Sequence, residues 1–166
     1  MGQIPSQRWV ISSTPWPSGR FGAFLPHAER FAGAFFGVSP AESNATDPQQ
    51  RLLLEYGYST LHAAKERRET LRGADVGVFL GIMNADFAAI CISASSVFTA
   101  TGAAISIAAG RLSFICGMQG PSISYDTACS SALIASHAAC KSVSTEECGS
   151  GLVLAASLML TPQVIG

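Results

Sequence analysis

Charge is scarce in this sequence, and scarcest where a soluble surface would need it. Only 13% of the residues are charged while 48% are hydrophobic; an ordinary globular domain is about 25% charged. Fifteen of the 21 charged side chains lie in residues 1–75, which leaves Asp86, Arg111, Asp126, Lys141, Glu146 and Glu147 for all of residues 76–166. Neither sign is in excess, since 10 Lys+Arg face 11 Asp+Glu for a net charge of −1. That balance excludes a basic nucleic-acid face, a polybasic membrane patch and an acidic tail as readings of composition. A free-standing domain of this length buries about 68–70% of its unfolded surface and needs polar groups over the rest. Six charges in 91 residues cannot easily supply them. The second half therefore reads as interior material of something larger, made of more chain, a partner subunit, or both.

Long apolar runs are missing too. The longest charge-free internal stretch, Phe87 to Gly110, carries six hydroxyls and Gly102, too polar for a spanning helix. Leu152–Leu160 is only a strand's length. No basic segment followed by an apolar one opens the chain, so a secretory leader is not expected. Met1-Gly2-Gln3-Ile4-Pro5-Ser6 fits the loose N-myristoylation pattern, but the pattern is permissive and Pro5 speaks against it. Five cysteines (Cys91, Cys116, Cys129, Cys140, Cys148) form an odd set with no C-x-x-C pair. Free thiols in a reducing compartment are expected, most of them buried, rather than disulfides or zinc. Together these absences point to a soluble, cytoplasmic protein with no membrane span and no nucleic-acid partner. There is also no phosphate-binding loop, no G-x-G-x-x-G, no G-x-S-x-G elbow and no ligand set with metal spacing.

What the chain does have is small residues: 25 Ala, 21 Ser and 16 Gly among 166. They are interleaved with Leu, Ile, Val and Phe, which excludes a flexible linker and suits the close helix–sheet spacing of a layered core. The length allows one domain. Residues 1–30, with four prolines and little periodicity, read as an irregular lead-in, and 31–166 as the domain proper. Phe31–Val38 is apolar and broken by glycine, and Ser39-Pro40 reads as a turn. Asp47-Pro48-Gln49-Gln50 predicts a helix start, with Asp47 as cap, Pro48 in the first helical position and Gln50 placed for a capping box. Leu52, Leu53, Tyr56, Thr60, Ala63 and Ala64 then predict its apolar face, and Lys65-Glu66-Arg67-Arg68-Glu69 a solvated end. Val76–Ile82 reads as a buried parallel strand. A helix over Ala103–Ile115 stopped by Gly117, a strand over Pro121–Tyr125, a helix over Cys129–Val143 with Ala132, Leu133, Ala135, Ala139 and Val143 as apolar positions, and a strand over Leu152–Leu158 complete the pattern. Alternating strands and helices predict an α/β fold with a mostly parallel sheet.

Chemistry concentrates at Tyr125-Asp126-Thr127-Ala128-Cys129-Ser130-Ser131, a strand-to-helix junction. A residue at such a turn is presented at the top of the sheet, as in a nucleophile elbow. The helix N-terminus brings backbone N–H groups and partial positive charge, which favour anionic sulfur and a developing oxyanion. The competing reading is one more inert buried thiol. A base partner is not evident. His137 lies eight residues along the same helix, about 12 Å away at 1.5 Å per residue; His62 sits near the polar end of a helix and His27 in the lead-in.

The hexapeptide Asp126-Thr127-Ala128-Cys129-Ser130-Ser131 resembles the active-site cysteine motif of β-ketoacyl synthases, in the form typical of the ketosynthase domains of type I polyketide synthases. Phe35–Glu42, Asp47–Glu55, Gly77–Gly81, Ala108–Ser113 and Gly120-Pro121-Ser122 resemble further motifs of the family in order, and Ile4-Pro5 with Arg8-Trp9 is similar to its lead-in. The resemblance implies the thiolase-like αβαβα fold, in which two α/β halves stack as five layers, with this chain as a partial N-terminal half. It implies that Cys129 takes an acyl chain from the phosphopantetheine thioester of an acyl carrier protein. An extender of malonyl type then loses CO₂, and its enolate attacks the acyl-cysteine. No bound cofactor is implied beyond that carrier-borne substrate. A homodimer is, with Ser122–Tyr125 at the subunit interface. Polyketide rather than fatty-acid wording prevails in the motifs.

The family's two downstream histidines and supporting lysine, and its glycine-rich first strand, have no counterpart in these 166 residues. The expectation is that this chain alone cannot condense, while thioester exchange at Cys129 stays open. Ala132 stands where many relatives carry a third serine, which disturbs nothing important. Two classes of function follow: a ketosynthase, or a non-catalytic half-domain serving dimerisation or carrier docking. Relatives that only decarboxylate usually lack the cysteine, so Cys129 favours the enzyme. Isolated, such a half should expose apolar surface and tend to aggregate.

Overall fold

Val76–Met83 has no polar side chain at any of its positions, and it forms the central strand, buried along almost its whole length. The structure, a computed structural model, describes residues 2–3, 21–83, 85–90 and 97–161, with side chains from residue 23 onward. In chain order its elements are β1 (Gly2–Gln3), β2 (Phe21–Gly22), α1 (Pro40–Ala45), α2 (Pro48–Ala63), α3 (Arg68–Leu71), β3 (Val76–Met83), α4 (Asp86–Ile90), α5 (Thr99–Ala103), α6 (Ile107–Cys116), β4 (Ser122–Tyr125), α7 (Ser131–Ser144) and β5 (Ser150–Ser157). β1 and β2 pair antiparallel as a small separate ladder within the lead-in. The main sheet has the order β4-β3-β5, and both pairings are parallel, as expected.

Successive side chains of a strand point to opposite faces, and β3 uses this to serve two cores. Val78, Leu80 and Ile82 pack with Leu53, Leu54, Leu61, Ala108, Leu112 and Leu152 on the α2/α6 side. Phe79 faces the other way, against Ala135, Ala139 and Cys148 below α7. The result is helix, sheet, helix: three layers, with α2 and α6 on one face and α7 on the other. Each fully buried Leu or Phe contributes about 1.5–3 kcal/mol, and Leu54, Val78, Phe79, Leu80, Ile82 and Leu112 are all 0–1% exposed.

The helix starts follow the cap rules, with one correction. Asp47 caps α2, its Oδ1 accepting from the Gln49 N–H at 2.7 Å, and Pro48 takes the first position. Ser39-Pro40 is not a plain turn. Ser39 Oγ accepts from the Glu42 N–H at 3.2 Å and Pro40 begins α1, so the pair is a cap and first residue. Lys65, with φ +67, ends the α2 segment, and Arg67–Thr70 form a second cap that starts the short α3 inside the charged cluster.

α2 and α6 differ from the sequence expectation for tertiary reasons. The buried residues of α2 are Gln49, Gln50, Leu53, Leu54, Gly57 and Leu61, while Tyr56, Thr60, Ala63 and Ala64 are exposed. Gly57 sets this rotation: a Cβ there would lie 2.7 Å from Leu112 and 2.9 Å from Leu154, so α2 presents its smallest residue where it approaches α6 and β5. The expected helix over 103–115 starts four residues late, as α6 at Ile107, behind a separate short α5 at Thr99–Ala103, and α2 bonds the carbonyls at the end of α5. Asp47 N–H donates to Gly102 O, and Gln50 Nε2 donates to Gly102 O and Ala104 O at 2.9 and 3.0 Å. Gln50 thus bridges elements instead of closing a capping box. Its Oε1 accepts from Arg111 Nε, and Arg111, 9% exposed, pairs with Glu42 at 2.6 Å. Three of the sequence motifs meet in this one network. Gly117, at φ +75, ends α6 as predicted.

Candidate active site

β4 leaves the sheet at Tyr125 and the chain turns at once into a 3-10 turn, Ala128–Ser130, followed by α7. Cys129 sits in that turn, so the expected helix start at Cys129 falls two residues later, at Ser131. The turn is sharp: Ala128 has φ +54, a left-handed conformation that costs an alanine energy and persists only where neighbours enforce it. Those neighbours are side chains of the motif itself. Asp126 Oδ1 accepts from the Ala128 N–H at 3.2 Å, and Ser130 Oγ donates to Thr127 O at 2.7 Å. Ser131 Oγ accepts from the Thr127 N–H at 2.8 Å and donates to Ala128 O at 2.7 Å.

Cys129 is exposed and opens on a recess of about 170 Å³ lined by Gly81, Met83, Ala128, Cys129, Ser131, Ala132, Ala155, Ala156 and Ser157. It lies at the carboxyl ends of β3 and β5, where open parallel sheets place ligands. Apart from Met83 the lining is small, which leaves room beside the sulfur. Gly81 also lets the first turn of α7 rest on β3, since a Cβ there would meet Ala132 N and Ser131 C at 2.7 Å. A glycine inside a strand is a signal of such close approach, and it is the mark by which Gly81 is legible in the sequence. Ser131, buried at 5%, belongs to the cysteine motif, but nothing in its spacing signals that it holds the turn.

The other candidates do not converge on Cys129. Among the described residues no histidine lines the recess. His27 is exposed beside Glu29, His62 is exposed against the Tyr58 ring, and His137 is exposed on α7. The expectation that most cysteines are buried holds for Cys116 and Cys148 but not for Cys129 or Cys140, and Cys91 lies outside the described residues. All four described thiols are free, and burial pushes the Cys116 thiol up, which keeps it protonated and inert. No group of three or more metal-ligating side chains occurs among the described residues, and no helix there is long and apolar enough to cross a membrane.

The family model described as "Beta-ketoacyl synthase, N-terminal domain" matches residues 3–166. The chain belongs to the β-ketoacyl synthase family. Among polyketide synthases, this ketosynthase chain is 37% identical over 175 residues to a phenolphthiocerol/phthiocerol polyketide synthase of Mycobacterium tuberculosis, covering 99% of this chain and 9% of that protein. It is 44% identical over 145 residues to an erythronolide synthase of Saccharopolyspora erythraea, covering 86% and 4%. Solved ketosynthases share the thiolase-like fold. The ketosynthase from module 6 of the bacillaene synthase of Bacillus subtilis 168 superposes with a TM-score of 0.84 at 32% identity, over 98% of this chain and 27% of that one. The oxazolomycin ketosynthase domain of Streptomyces albus gives 0.86 at 27% identity, over 99% and 31%. The chain thus spans less than a tenth of these curated relatives and under a third of these solved structures.

Proposed function

We propose that Cys129 is the acyl acceptor of a polyketide-type ketosynthase. Its sulfur attacks the carbonyl of an acyl thioester borne by the phosphopantetheine of an acyl carrier protein. The carbonyl oxygen takes up negative charge, stabilised by the Cys129 backbone N–H at the head of α7; the C–S bond to pantetheine breaks, and the pantetheine thiol leaves with the proton that Cys129 gave up. A malonyl-type extender then loses CO₂, its enolate carbon attacks the acyl-cysteine, and Cys129 is released as a β-ketoacyl thioester forms. The observation that carries this reading is the strained turn that holds an exposed Cys129 over a small-residue recess at the carboxyl ends of parallel strands.

Condensation needs groups to drive decarboxylation and to stabilise the enolate, and none of the three histidines faces the recess. The 166 residues by themselves therefore support acyl transfer and not condensation. A homodimer is part of the same reading. β4 is one of the two outer strands of the sheet, flanked by α6 and α7, and Ile123, Phe114 and Leu133 expose apolar side chains on these three elements at 40%, 86% and 71%. A second copy laid along β4 would cover them, which also accounts for the poverty of charge in this half.

The test is incubation of the chain with a short acyl-pantetheine thioester, followed by peptide mass spectrometry. One acyl group on Cys129, absent in Cys129→Ala, is expected. Acylation spread over all exposed thiols, or none, would remove the proposal, and β-ketoacyl product from this chain would overturn the limit to acyl transfer.

A further inference from the structure

We infer that Ser131 is a positioning residue for Cys129; this rests on the reading of Cys129 as acyl acceptor. Three side chains tie the turn that carries Cys129, but they are not equivalent. Asp126 is exposed and Ser130 half-buried, so water competes for their hydrogen bonds. Ser131 is 5% exposed, and its single hydroxyl bridges both residues ahead of the cysteine, accepting from Thr127 N–H and donating to Ala128 O. Without that hydroxyl the Thr127 N–H loses its partner and Ala128 O keeps only the Ser131 N–H. Ala128, at φ +54, is then held only by the Ser131 N–H and by the exposed Asp126 bond, and relaxation to negative φ swings the next residue, Cys129, relative to the recess.

The geometry separates this role from ordinary helix capping. Ser131 is the first residue of α7, and the α7 cap position, Ser130, has no side-chain capping bond. The Ser131 hydroxyl points back into the turn rather than along the helix. Its loss should therefore register at Cys129 and not at the far end of α7. Cys140, an exposed free thiol on the same helix, supplies an internal reference, because it senses the folding of α7 but not the turn.

The experiment compares Ser131→Thr with Ser131→Val in the full chain. The two side chains have the same shape, and only threonine keeps the hydroxyl. Butyryl-N-acetylcysteamine probes acylation at Cys129, and iodoacetamide probes the ratio of Cys129 to Cys140 alkylation, both read by peptide mass spectrometry. A misplacement of about 1 Å costs on the order of 100-fold in rate. Ser131→Val should thus slow acylation at least about tenfold and change the alkylation ratio, while Ser131→Thr stays close to wild type in both. Equal behaviour of the two variants, whether both normal or both impaired, overturns the inference, since the hydroxyl would then make no difference. If the wild-type chain takes no acyl group at Cys129, the acyl-acceptor reading fails by itself. The alkylation ratio then still decides Ser131: a shift in Val but not Thr supports the positioning role, and no difference removes it.

Discussion

Replacing Gly81 by alanine tests how closely α7 must lie on the sheet for the site to exist. The added Cβ would stand 2.7 Å from Ala132 N and Ser131 C, and 2.8 Å from Ser131 O. All three are backbone atoms in the first turn of α7, so no side chain can rotate away. Non-bonded carbons rest at about 3.5–4.0 Å, so α7 must retreat by about 1 Å or β3 must bend. Overpacking of this kind costs about 1–3 kcal/mol, and at this chain length each kcal/mol lowers the Tm by about 2–4 °C. A fall of roughly 2–12 °C follows. Gly110→Ala is the matched control: nothing lies within 4 Å of its Cβ, it is exposed, and it sits inside α6. There alanine should gain about 1 kcal/mol of helix propensity. Thermal melts followed by circular dichroism measure both, and the acylation of Cys129 is read on the same samples. Gly81→Ala should lose acylation as well as stability, because the displaced turn carries the cysteine. The reasoning fails if Gly81→Ala melts with the wild type, or no lower than Gly110→Ala.

Two further outcomes are expected. Asp47 is buried, and desolvation raises its pKa above the ordinary 3.8, against the lowering effect of the Gln49 hydrogen bonds. The folded state therefore holds that proton more tightly than the unfolded one, and the resulting stability is present below the unfolded pKa and lost as pH rises through the raised folded value. Asp47→Asn, neutral and still a good cap, should gain Tm relative to wild type at neutral pH and lose that advantage toward pH 4; a difference independent of pH would contradict the account. Phe114→Ser with Leu133→Ser removes two of the most exposed apolar side chains without touching the core, so self-association in sedimentation should fall while the Tm holds. Unchanged association would place the contact surface elsewhere.

Local rules make much of this protein legible in its residues alone. β3 announces itself as an uninterrupted apolar run, because a strand covered on both faces has no position where a polar side chain is tolerated. Asp47-Pro48 marks the start of α2 and Gly117 the end of α6, since caps depend on the conformation of one or two residues. The Cys129 motif is readable for the same reason, as a strand-to-helix junction that carries an exposed cysteine, and the poverty of charge after residue 75 is equally plain in the sequence.

Other features depend on partners distant in the chain. The turn of α2 toward Gly57 rather than Tyr56 follows from Leu112 and Leu154, which approach too closely for any larger residue. The anchoring of the α5 end depends on Gln50, 52 residues upstream of Gly102, which donates to the carbonyls of Gly102 and Ala104. Ser131 reads in sequence as one small polar residue among 21 serines; only folding buries its hydroxyl between Thr127 and Ala128. Sequence alone determined the family, the parallel strands and the cysteine motif at the strand-to-helix junction, because each is written in contiguous residues. Tertiary structure decided which helix faces are buried and what holds the cysteine turn in its strained form, because close packing and buried hydrogen bonds are properties of pairs that the chain brings together only when folded.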